Sequence, residues 1–189
     1  MQDIRTIFFV GKPGCGKGTQ AKLLAERTGW PIFASGKLFR DIATQDTPLG
    51  RRVQEEVNKW GLLGPPWLAM YLYLESLFSL PPGQSAIFDG FNRKTDEAEL
   101  IVDSLKWFGR GFSILHVKIS DDEVRKRIEL RKQTSGRLDD QTVDQRLEEY
   151  EKYTKDAINI FRDAGVLIEI NGEQPPEKIA EDIRAVLKV

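Results

Sequence analysis

The chain has one cysteine, Cys15, and one histidine, His116, among 189 residues. A single cysteine excludes an internal disulfide and a cysteine metal cluster, and it suits a reducing compartment such as the cytoplasm. A single histidine leaves no His-rich ligand set, and its place inside an apolar strand pattern reads as a packed core residue. Long hydrophobic runs are missing as well. The longest, WLAMYLYL at 67–74, is far short of the about 20 residues that a membrane span needs. The wider stretch WLAMYLYLESLF (67–78) reads as an amphipathic core helix rather than a membrane or partner surface. The N-terminus carries no extended apolar leader. Charge of one sign is also lacking: the formal net charge is −1, so no global basic field exists to hold nucleic acid or an anionic membrane. Any anion site must be local.

What is present is an ordinary globular composition, 40% hydrophobic and 30% charged, in a length that suits one domain with a sizeable core. Apolar strand-like and amphipathic helix-like segments alternate. Strands are expected at 4–10, 31–34, 85–89, 112–119 and 166–170. Helices are expected at 19–27, from a Ser35 N-cap, twice within 48–80 around the breaker GLLGPP (61–66), from about 95 to 108, from an Asp121 cap, over about 140–162, and over about 176–187. Such alternation predicts a parallel sheet covered on both faces.

Four glycines and two lysines fall within GKPGCGKGT, residues 11–19, between the first strand and the first helix. A glycine-rich turn there lets successive backbone N–H groups point inward around a phosphate chain, and the positive end of the helix adds to the field. The stretch fits G-x-x-x-x-G-K through Gly11, Gly16 and Lys17, although Gly18 stands where Ser or Thr usually follows and Thr19 comes next.

The fuller pattern G-x-P-G-x-G-K-G-T resembles the phosphate loop of the adenylate kinases and related nucleoside monophosphate kinases. ASGKLFR (34–40) resembles that family's acceptor segment, and FDGFNR (88–93) its D-G-F-P-R segment. LRKQTSGRLDDQTVDQRLEEY (130–150) resembles its short lid, and LIEINGEQP (167–175) its last strand and base-contacting turn. These matches come in family order and span nearly the whole chain.

The resemblance implies a P-loop three-layer α/β sandwich with a five-stranded parallel sheet. An acceptor-binding arm would occupy about 36–80, and a short, zinc-free lid about 131–141. The implied activity is reversible, Mg²⁺-dependent transfer of the γ-phosphate of ATP to a nucleoside monophosphate, by a cytoplasmic monomer. AMP is the expected acceptor, with GMP, CMP and UMP as alternatives. A kinase for another small metabolite and a nucleotide-binding switch without transferase activity are the other readings. Gly14, Cys15, Gly16, Lys17, Gly18, Thr19, Arg131 and Gly172 would bind ATP, with Arg131 over the adenine. Ser35, Arg40, Leu63, Gly90, Arg93 and Glu97 would bind the acceptor, with Arg40 and Arg93 clamping its phosphate. Lys17, Arg93, Arg137 and Arg146 would be catalytic, the last two arriving with the lid. Asp89 would help hold Mg²⁺ through water. Asp139 and Asp140 would orient lid arginines or cap the long helix. Arginine suits these places because its planar fork bonds phosphate bidentately. Neighbouring Arg125 and Arg127 have no such support and read as surface charges.

Several positions depart from the family pattern. Lys37 stands where aspartate is usual, and Asn92 replaces the proline before Arg93. The chain between the aspartate pair and Arg146 is two residues shorter, which shifts helical phase by about half a turn. Glu97 stands where adenylate kinases usually have glutamine. Either it reads the acceptor base, or it is an exposed helical glutamate; an ionised carboxylate accepts but cannot donate, which would suit guanine. Cys15, beside a helix N-terminus, is expected to be open to alkylation with loss of activity.

Overall fold

The computed structural model describes residues 5–59, 64–135 and 143–189. Arg5–Val10 forms the central strand β1, buried from Thr6 to Val10. Its continuous apolar run is what a strand covered on both faces requires. Four more parallel strands join it: β2 (Ile32–Ala34), β3 (Ala86–Asp89), β4 (Gly111–Lys118) and β5 (Leu167–Asn171), in the order β2-β3-β1-β4-β5. Phe8 stands opposite Phe88 on one side and Ile114 on the other.

The pleat of β1 divides the core. Phe8 and Val10 face one layer with Tyr73, Phe88, Phe91 and Phe161, whereas Ile7 and Phe9 face the other with Leu24, Leu115, Val117 and Ile183. In the first layer Phe8 stacks on Phe88 at 5.0 Å, and Tyr73 and Phe91 meet Phe88 edge-on. The helices covering these layers are α1 (Lys17–Thr28), α2 (Ser35–Ala43), α3 (Pro48–Val53), α4 (Pro66–Phe78), α5 (Thr95–Trp107), α6 (Asp121–Ser135), α7 (Val143–Glu149), α8 (Lys155–Asp163) and α9 (Pro176–Leu187). This is the expected five-stranded parallel α/β sandwich. Among the described residues no helix is long and apolar enough to cross a membrane.

Two expected caps are corrected. Ser35 is the first residue of α2, and Ala34 holds the N-cap position without a side-chain bond. The Ser35 hydroxyl instead donates to the carbonyl of Gly90 at 2.9 Å, fastening the start of α2 to the turn after β3. At α6 the cap is Ser120, whose Oγ accepts from the backbone N–H of Glu123. Asp121 lies in the first helical turn and pairs with Lys12. The helix expected over 140–162 is described from Val143 onward, and it carries a π-helical turn at Tyr150–Thr154 between α7 and α8. A second π-helical turn, Gln54–Lys59, continues α3.

Candidate active site

The strand order changes direction about β1, so the chain leaves β1 and β3 on opposite paths and opens a crevice at their carboxyl ends, where α/β sheets bind ligands. A cavity of about 1210 Å³ lies there. Its first wall is the turn 11–16. Gly11, Gly14 and Gly16 hold φ of 147°, 75° and 96°, values that favour glycine. At Gly11 space is also limiting, because a Cβ would come within 2.4 Å of the Val117 carbonyl. Gly16 is the N-cap of α1, so Lys17 opens the helix. The Lys17 ammonium donates to the carbonyls of Gly11 at 2.7 Å and Lys12 at 2.9 Å, and lies 3.4 Å from Cys15 Sγ. Cys15 itself is fully buried, so the sequence expectation of a thiol open to alkylation is corrected.

The opposite wall comes from the start of α2 and the turn after β3. Ser35, Lys37, Arg40, Gly90, Asn92 and Arg93 line it. Gly90 sits at φ 87°, and a Cβ there would meet Arg93 Nη2 and Ser35 Oγ at 2.6 Å each. Asn92 is fully buried, and neither polar atom of its side chain has a partner among the described residues. Asp89 lines the cavity between the two walls; a Cβ on Gly18 would lie 3.6 Å from its Oδ2.

Glu97 lines the cavity too, but not as the exposed glutamate that was one of its readings. It is 5% exposed, and its Oε2 accepts from the backbone N–H of Arg93 at 2.7 Å and of Lys94 at 3.2 Å. The side chain thus reaches back to satisfy free amides at the start of α5, the glutamate half of a capping box. Burial pushes its carboxyl pKa up, against the pull of those two N–H groups and of the Arg93 and Lys94 charges.

The third wall belongs to α6 and α7. Arg127, Arg131 and Arg146 all line the cavity. The phase shift inferred from the shortened lid therefore does not carry Arg146 out of the site. Arg127 was misread as a surface charge: it is half-buried, held by Glu123 at 2.6 Å, and it donates to the Gly172 carbonyl at 2.8 Å. The signal that would have found it is its four-residue spacing from Arg131, which puts both on one helix face. Arg125, two positions before Arg127, is exposed and paired with Asp144, as a surface charge should be.

Gly172 is not part of the cavity lining; its N–H donates to the Lys118 carbonyl, and Gln174 lines the cavity from the same turn. The cavity does hold the expected Gly14, Gly16, Gly18 and Thr19. Leu63, Arg137, Asp139 and Asp140 lie outside the described residues. His116 is buried as expected, with Nε2 3.0 Å from the Tyr150 hydroxyl. Burial lowers its pKa to about 4.

A family model described as adenylate kinase matches residues 9–166. An adenylate kinase of Thermus thermophilus is 35% identical over 188 residues, covering 98% of each chain. One of Chlamydia caviae is 35% identical, covering 96% of this chain and 98% of its own. The protein described as adenylate kinase 1 of a Nostoc species is 34% identical, covering 96% and 97%.

Proposed function

The chain belongs to the adenylate kinase family, and from that membership and the cavity's geometry we propose reversible transfer of the γ-phosphate of ATP to AMP. One observation carries the reading: a single cavity joins a glycine-rich phosphate loop at one end to Arg40 and Arg93 at the other. Two nucleotides bound end to end need that layout, because phosphoryl transfer asks mainly for alignment and neutralised charge.

The residues divide by wall. Backbone N–H groups of 14–19 and the Lys17 ammonium hold the donor's polyphosphate, with Lys17 exchanging the Gly11 and Lys12 carbonyls for phosphate oxygens. Arg127, tied to the Gly172 carbonyl beside Gln174, takes the adenine-facing place that the family resemblance implied for Arg131. Arg131, one turn further along α6, then reaches the phosphates with Arg146. Arg40 and Arg93 clamp the acceptor phosphate, and Ser35 and Gly90 hold the acceptor wall in register. The arm at about 36–80 and the lid at about 131–141, with Arg137 and Leu63, complete the enclosure, and their closure excludes water and limits hydrolysis.

Magnesium fits this site. Asp89 offers one carboxylate beside the phosphate loop, and among the described residues no cluster of three or more candidate ligands exists. That is the donor set of an ion held chiefly by phosphates and water. When bound, the ion supplies charge neutralisation between the two nucleotides; Asp89 would hold it through water.

Glu97 lines the cavity beside Arg93, where its carboxyl can accept from adenine N6; burial raises its pKa. The lone, buried cysteine suits a reducing compartment such as the cytoplasm, and a monomer is the state that the family resemblance implies. The test is direct: protein, ATP and Mg²⁺ are mixed with AMP, GMP, CMP or UMP, and nucleoside diphosphate is measured. ADP from AMP at the highest kcat/KM is expected; ATP hydrolysis without transfer would overturn the assignment.

A further inference from the structure

A second cavity, about 420 Å³, opens where the carboxyl ends of β4 and β5 meet α8. It lies on the sheet face that α8 covers, away from α1 and α9. Ligands of parallel sheets bind outside strand carboxyl ends, and the volume is that of a small-molecule site. Its charges do not balance. Lys12, Lys118, Lys155 and Arg162 line it against only Glu151 and Glu169. Glu169 is shared by Lys118 at 3.1 Å and Arg162 at 3.6 Å, Lys155 pairs with Glu151, and Lys12 turns to Asp121 outside the lining. These are exposed pairs, which a ligand exchanges cheaply.

An independent observation comes from His116, which also lines the cavity and is 8% exposed. Its Nδ1 is buried without a partner among the described residues. His116 Nε2 lies 3.0 Å from the Tyr150 hydroxyl; with the hydroxyl as donor, the imidazole proton sits on Nδ1. A buried polar nitrogen without a partner is costly. Ile158 supplies an apolar surface beside it.

We propose that this cavity is a second ligand site, for a small organic phosphate. Lys118 and Arg162, which share one carboxylate, hold the phosphate dianion, and His116 Nδ1 is the donor left for the ligand. Ile158 takes the organic body, for which a bare phosphate would be too small. Tyr150 lines both cavities and Lys12 belongs to the phosphate loop, so an occupant here touches the loop and the helix that carries Arg146.

The inference does not depend on the phosphotransfer reading, and its test blocks that site. The protein is saturated with two adenosines bridged by five phosphates, then titrated with ribose 5-phosphate, inorganic phosphate or ribose. Nitrogen-15 NMR follows the His116 ring and the backbone amides of 116–119 and 155–162. Ribose 5-phosphate should give saturable shifts confined to these residues, inorganic phosphate weaker ones, and ribose none. The Lys118→Ala/Arg162→Ala double variant should weaken ribose 5-phosphate at least about tenfold, with exposed Lys155→Glu as a second variant should the double one unfold. Absence of saturable shifts, shifts unaffected by either variant, an equal response to ribose, or tighter inorganic phosphate would each overturn the proposal.

Discussion

Glu97 and Arg93 are joined through the backbone: the Arg93 N–H donates to Glu97 Oε2 at 2.7 Å. A residue that faces the acceptor end of the cavity therefore also fixes the backbone of the arginine beside it. Glu97→Ala should cost about 1 kcal/mol of stability, as loss of a helix-start acceptor does. Glu97→Gln should keep that stability, because its amide oxygen still accepts. Denaturant unfolding of both variants checks this.

The same carboxyl predicts a pH effect on base choice. Its pKa in the fold is raised by burial, so the neutral, adenine-matching form gains as pH falls. The ratio of kcat/KM for AMP over GMP should rise in the wild type as pH falls toward the carboxyl's pKa and stay flat in Glu97→Gln. The acceptors' own phosphate titration cancels in the ratio. A flat wild-type ratio would sink the idea.

Lys17 should be the most costly single loss in the phosphate loop. With its ammonium 2.7 Å from Gly11 and 2.9 Å from Lys12, Lys17→Ala removes a loop brace and, on the proposed function, the transferring phosphate's cation. A fall in kcat of about 10²–10³-fold is expected, the usual effect of losing one preorganised charge-stabilising donor. Circular dichroism should show the fold retained.

Gly90→Ala combines two penalties. The positive φ costs about 1–2 kcal/mol, and the new Cβ strikes Arg93 and Ser35. Both the melting temperature and kcat/KM for AMP should drop, whereas KM for ATP should change little.

His116 predicts acid sensitivity. Its pKa lies near 4 in the fold against about 6.5 unfolded, so below about pH 6.5 the unfolded chain takes up a proton that the fold refuses. Stability should fall by about 2–3 kcal/mol between pH 7 and pH 4 from this group. His116→Phe should lose that part of the slope in urea unfolding at several pH values.

Much of this molecule was legible because local rules and tertiary demands agree. The turn 11–16 needs glycine where the motif has it, and the apolar run at 6–10 is buried on both faces. What failed was local chemistry captured by a distant partner. Ser35 has the composition of a cap, but the Gly90 carbonyl, 55 positions away, takes its hydroxyl. Asp121 is likewise taken by Lys12. Arg127 and Arg125 are alike in sequence; only the rotation of α6 against the Gly172 turn separates a cavity residue from a surface one. Cys15 looks reactive beside a helix N-terminus until its burial is known.

The central position of β1 has a consequence for synthesis. Its ladder partners begin at Ala86 and Gly111, so a nascent chain emerging at about 5–20 residues per second carries the IFFV segment unpaired for several seconds. The first strand made waits for both of its neighbours, and through that interval its apolar side chains stay exposed.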